Sequence, residues 1–172
     1  MHQLFGQLHI FCIFLKMKLL ILSIGKTNEK YLTDGIGIYL DRLKHYCRII
    51  YEELKDVKPG LTGAETSLRE AEMVLSKLKD DDVLILLDEN GKLLSSEKFA
   101  EYLDNYRNRS VRNVIFLIGG AFGHHPKLKE RAADLISLSP MTFTHQMCRL
   151  ILAEQIYRAF TIIKNEKYQQ RG

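Results

Sequence analysis

Two runs near the middle of the chain, "VLILL" at 83–87 and "VIFLI" at 114–118, are apolar at every position. A strand with apolar side chains on both of its sides is stable in water only when both sides are covered. The architecture that covers both is a parallel sheet with helices on each face. These two runs constrain the fold more than any other feature of the sequence.

Around them the hydrophobic period switches repeatedly between that of a strand and that of a helix. Strands are expected at 19–24, 47–54, 83–87, 113–118 and 135–138. Helices are expected at 29–46, 65–79, from a cap at Ser95 or Ser96 to about Asn108, at 126–133 and at 145–164. The first helix carries Leu32, Ile36, Leu40 and Leu43 at helical spacing, and Pro126 stands at a first helical position. Five βα units in succession imply an α/β fold of the doubly wound kind, with a mostly parallel sheet and helices on both faces.

A chain of 172 residues, 46% apolar and 27% charged, is large enough for one well-formed core, and with three prolines and no low-complexity tract it offers no linker between two. Residues 17–172 are therefore expected to form a single domain. The apolar stretch "LHIFCIFL" at 8–15 has no basic segment before it and no small-residue cleavage site after it, and it is too short to span a bilayer. Met17 opens the regular pattern, so residues 1–16 are expected to be an N-terminal extension, and no membrane partner is expected. Net charge of +4 permits an anionic partner without requiring one. Cys12, Cys47 and Cys148 are odd in number and far apart, which suggests neither a disulfide framework nor a zinc site and points to a reducing cytoplasm.

In open α/β sheets, ligands bind beyond the carboxyl ends of the strands. Three loops there stand out: residues 87–91 (LDENG), 119–123 (GGAFG) and 138–143 (LSPMTF). All follow late strands, whereas a dinucleotide fold places its glycine-rich turn after the first strand. Gly25-Lys26-Thr27 lacks the leading glycine of a phosphate-binding loop. A pocket built by the late loops is thus the sharper expectation, and the paired Gly119 and Gly120 mark a place where something approaches the main chain closely.

Several residues have both a functional and a structural reading. His124 and His125 are adjacent, so their side chains diverge, and no third ligand stands at a suitable spacing for a metal. His145 and Arg149 lie four apart and share a face of the last helix, as do Glu154 and Arg158, whose order suits an intrahelical ion pair. Leu150, Ile151, Ile156, Tyr157 and Phe160 make an apolar surface wider than one sheet contact needs, which suggests a second copy of the chain as partner. Tyr168 and Arg171 in the tail combine a ring that could stack on a base with a group that could hold a phosphate. The remaining basic residues are dispersed and form no stripe.

Four ordered blocks carry a family resemblance: "MKLLILSIGKTNEKYLTDGIGIYLDRLKHY" from Met17, "LLDENGKLLSSEKFA" from Leu86, "FLIGGAFG" from Phe116, and "SLSPMTFTHQMCRLILAEQIYRAF" from Ser137. Together they resemble the bacterial large-subunit rRNA pseudouridine N3-methyltransferases of the SPOUT superfamily, over essentially everything after Met17. The resemblance implies a C-terminal trefoil knot, S-adenosyl-L-methionine as cofactor, a homodimer that completes the site, and large-subunit rRNA within the ribosome as substrate. By position it assigns cofactor contacts to Leu87, Gly119, Leu138, Ser139, Pro140, Met141, Thr142 and Phe143, with Gly119 and Gly120 leaving room for the cofactor and the crossing chain. His145, Arg149, Tyr168 and Arg171 are the candidates for positioning RNA or moving a proton. No metal is implied.

This chain departs from that family at Thr144, where proline is usual, at Pro140, where lysine is common, and in a tail without the usual histidine after Tyr168. The rival readings of the residues are a non-catalytic RNA-binding protein on the same fold and a nucleotide-binding hydrolase.

Overall fold

In the computed structural model, residues 17–57 and 60–166 are described. The expected extension at 1–16, and Tyr168 and Arg171, lie outside them. The described chain alternates strands and helices: β1 Lys18–Ile24, α1 Lys30–Leu43, β2 Arg48–Leu54, α2 Gly63–Leu75, β3 Val83–Leu93, α3 Ser96–Asn108, β4 Asn113–Ile118, α4 Pro126–Arg131, β5 Asp134–Ser137 and α5 His145–Ile163.

The five strands form one sheet in the order β2-β1-β4-β3-β5, with every neighbouring pair parallel. Its strands alternate between two cores, as the double-sided apolar runs require. Leu19 and Ile21 of β1, Ile85 of β3, and Val114 and Phe116 of β4 point to one face, against Leu43 of α1, Phe99 and Leu103 of α3, and Leu152, Ile156 and Phe160 of α5. Leu22, Leu84, Leu86, Ile115 and Leu117 point to the other, against Ala71 and Val74 of α2 and Leu128 of α4.

Element boundaries differ from expectation in two informative places. Helix α2 begins at Gly63, before the expected 65, because Thr62 accepts a hydrogen bond from the Glu65 backbone while the Glu65 carboxylate accepts one from Thr62 N at 2.8 Å. That Thr-x-x-Glu capping box was visible in the sequence. The larger difference is β3, which runs on to Leu93 where a loop at 87–91 was expected. Ile136 of β5 pairs with Leu87 and again with Lys92, so the intervening residues bulge over β5. A Cβ at Gly91 would lie 2.6 Å from the backbone of Ile136, so a glycine is needed at the crossing.

The long final helix is held by the first. Tyr157 packs its ring against Tyr39 and Tyr46, and the Leu150 side chain rests on Gly35 of α1, where a Cβ would lie 3.0 Å from it. Ile156 and Phe160 are fully buried. The apolar excess on α5 that suggested a partner copy is thus largely covered by α1 of the same chain. Glu154 and Arg158 form the expected i,i+4 ion pair at 2.7 Å.

Candidate active site

The bulge of β3 and the carboxyl ends of β4 and β5 converge on a cavity of about 450 Å³, within the range of small-molecule sites. It is lined by residues 87–90, 118–124, 136–139 and 141–143, joined by Lys129 of α4 and by His145 and Cys148 of α5. Three segments far apart in sequence therefore meet because the strand order sets β4, β3 and β5 side by side.

The glycine turn behaves differently from the expectation. The space that side chains of Gly119 and Gly120 would fill belongs to protein: a Cβ on Gly119 would lie 2.9 Å from Cε1 of His124, and one on Gly120 would lie 2.6 Å from Oε1 of Glu70. These glycines admit an imidazole and a carboxylate, and the turn closes on itself through Gly123, whose φ is 70°. Phe122 extends from the same turn over Gly63 of α2 and remains exposed at the cavity rim.

Adjacent histidines part company here. His125 is the N-cap of α4, its Nδ1 accepting from Lys127 N at 3.2 Å. His124 turns inward, and its Nε2 lies 2.8 Å from the carbonyl oxygen of Leu87. Because a carbonyl only accepts, Nε2 is the protonated nitrogen of the neutral ring. Burial holds the His124 pKa below the ordinary histidine value, against the opposing effects of the Leu87 bond and of Asp88. Asp88 accepts from Asn90 N at 3.0 Å and pairs with Lys129 Nζ at 2.8 Å, and its pKa is lowered despite burial, through the Lys129 bond first.

His145 opens α5 and lines the cavity; burial, then the nearby Arg149 charge, lower its pKa. Thr144 is the N-cap of that helix, its Oγ1 accepting from Met147 N at 3.2 Å. Among the described residues no group of three His, Cys, Asp or Glu side chains could hold a metal ion, and no helix is long and apolar enough to cross a membrane.

With this geometry in place, comparison with known proteins decides the family. The family model for predicted SPOUT methyltransferases matches residues 17–169. The chain belongs to the SPOUT methyltransferase family. Among its relatives, the "Ribosomal RNA large subunit methyltransferase H" of Christiangramia forsetii is 45% identical over 157 residues, which cover 90% of this chain and 100% of that one. The proteins of the same name from Cytophaga hutchinsonii and Trichlorobacter lovleyi are 44% and 43% identical, and each alignment covers 88% of this chain and 99% of the relative.

In this SPOUT methyltransferase the cavity gathers Leu87, Gly119, Leu138, Ser139, Met141, Thr142, Phe143 and His145 from the positions expected to form the site. Pro140 lies in the same loop without lining the cavity. Arg149 is elsewhere. It is 1% exposed, and its guanidinium donates to Thr27 Oγ1 at 2.9 Å and to the Ile24 carbonyl at 2.8 Å, with Glu53 Oε1 3.5 Å away. The helical face shared with His145 predicted a common role, but one turn of helix carries the second side chain under the end of β1. The expectation that Arg149 positions RNA is corrected accordingly: its charge is spent inside the chain.

Two walls of the site were not expected there: His124, weighed only as a metal ligand, and Cys148, weighed only for a disulfide or zinc. Cys148 could have been found, since it stands three residues after His145 and so on the same helical face.

Proposed function

We propose that this chain transfers a methyl group from S-adenosyl-L-methionine to N3 of a pseudouridine in large-subunit rRNA, as a cytoplasmic homodimer with a knotted C-terminal region. The observation that carries the reading is the cavity itself, formed by the bulge of β3 and the loops after β4 and β5 in a chain of this family. The names of its relatives support the substrate.

The residues present suit the cofactor. Leu87, Leu138, Met141 and Phe143 offer apolar contact for a base and ribose, the main chain of 138–143 offers donors and acceptors, and Asp88 and Glu89 bring carboxylates to the wall beside a cationic ligand. Bound there, the sulfonium supplies an electrophilic methyl group. The protein then has to align the N3 atom and take up its proton. His145 is the candidate for taking the proton: its lining of the cavity and its lowered pKa, which favours the neutral imidazole, support that role. Tyr168 and Arg171 are assigned to holding RNA.

The family of the chain supports the knot. Tyr31 and Ile38, seven residues apart on α1 and 63% and 52% exposed, support a contact with a second copy.

The test is to incubate ribosomes lacking the modification with the protein and cofactor labelled in its methyl group, then to map the label. One methyl at N3 of a pseudouridine in the large-subunit rRNA is expected. Absence of transfer, or label on another base, contradicts the proposal.

A further inference from the structure

We propose that His124 is a positioning residue for the cofactor, acting by locking the start of the β3 bulge to the loop after β4. The inference rests on reading the cavity as the cofactor site and adds to it a residue that orders that site. Three observations support it. The imidazole Nε2 donates to Leu87 O at 2.8 Å, so it fixes the orientation of the main chain where β3 gives way to the cavity wall. The Nδ1–Cε1–Nε2 edge of the same ring occupies the space beside Gly119, where an added Cβ would stand 2.9 Å from Cε1, so the ring also sets the course of the glycine turn. Both Leu87 and Gly119 line the cavity, as does His124 itself.

One ring thus spans two of the three segments that must hold a fixed spacing for a ligand to touch all of them. Removing the donor leaves a partly buried carbonyl without its partner at the start of the bulge, which loosens what the cavity wall presents there. The charged and titratable groups facing the ring are Asp88 from the β3 side, Lys129 from α4 and His145 from α5. The ring is held neutral among them and works as a fixed donor.

The experiment is calorimetric binding of S-adenosylhomocysteine to wild type, His124→Phe and His124→Gln, with thermal unfolding of each and kcat and KM for the cofactor. Phenylalanine keeps the ring and loses the donor; glutamine keeps a donor near the position of Nε2. The expected result is about tenfold weaker binding and a matching rise in KM for His124→Phe, with kcat much less affected and recovery to within about threefold in His124→Gln. Equal affinity in wild type and His124→Phe overturns the inference, as does a His124→Gln variant that unfolds like wild type and binds as weakly as His124→Phe.

Should His124→Phe fail to fold, Gly119→Ala probes the same contact from the other side. Its methyl group must displace the ring, so a folded Gly119→Ala protein with wild-type affinity also overturns the inference. A wild-type protein that binds no S-adenosylhomocysteine contradicts the cofactor site itself, a separate failure.

Discussion

Arg149 of the final helix donates through Nη2 to the carbonyl of Ile24, the last residue of β1, at 2.8 Å across 125 positions of sequence. Its Nη1 reaches Thr27 Oγ1 at 2.9 Å, and Thr27 N donates to Glu53 Oε1 at 2.8 Å, so one guanidinium ties α5 to the ends of β1 and β2. The Glu53 pKa is lowered despite burial, chiefly by its Thr27 bonds and less by Arg149.

Arg149→Met should therefore lower stability by about 3 kcal/mol, since it strands a buried carbonyl and removes one cationic partner of Glu53. Arg149→Lys should recover little, because one ammonium does not reproduce the planar fork. Urea unfolding checks this; a loss well under about 1 kcal/mol would show that the network is incidental.

Two glycines should respond in opposite directions. Gly37 lies inside α1 with no heavy atom within 4 Å of the place a methyl group would take, so Gly37→Ala should stabilise by about 0.5–1 kcal/mol. Gly91 has the Ile136 backbone 2.6 Å from the corresponding position, and backbone does not yield cheaply. Gly91→Ala should cost at least about 2 kcal/mol. Paired denaturation curves test the contrast, and equal midpoints would contradict the close packing of Gly91 on Ile136.

The fold was largely legible because its determinants are local and periodic. The double-sided strands at β3 and β4 dictated parallel pairing and helices on both faces, and the three segments that line the cavity were found from the same rule, although 87–90 bulge within β3 instead of following it. What escaped reading were relations between distant residues. Nothing near Gly119 or Gly120 in sequence announces that Glu70 of α2 fills the space beside one of them. Helical spacing put His145 and Arg149 on one face, but the depth at which that face enters the sheet, which separates cavity from core, is set by packing. The extension of β3 depends on Gly91 meeting Ile136, a contact between segments that no local pattern encodes.

Glu70 gives a pH prediction. Its pKa is raised by burial first and by Asp56 second. A carboxyl whose folded pKa lies above its unfolded value favours the native state below the unfolded pKa, and that contribution is lost as pH rises through the folded value. Glu70→Gln should therefore raise the urea midpoint at neutral pH and do so much less near pH ~4, around the ordinary glutamate pKa. A variant less stable than wild type at neutral pH would mean that the carboxylate has a stabilising partner.

The two described cysteines should differ in reactivity. Cys47 is buried in the core with its thiol pushed up to about 12 by burial, so it should resist alkylation in the native protein. Cys148 lines the cavity, with burial raising its pKa, so it should label slowly and be protected by S-adenosylhomocysteine. Peptide mass spectrometry after iodoacetamide treatment measures both. Cys148 labelling at the same rate with and without the ligand would place the ligand elsewhere.

The most direct test of the account is a crystal structure with S-adenosylhomocysteine. The ligand should lie between Leu87, Gly119 and the 138–143 loop, touching main chain from all three segments. A ligand seated outside that cavity, or a cavity closed by protein atoms while the ligand is bound, would contradict it.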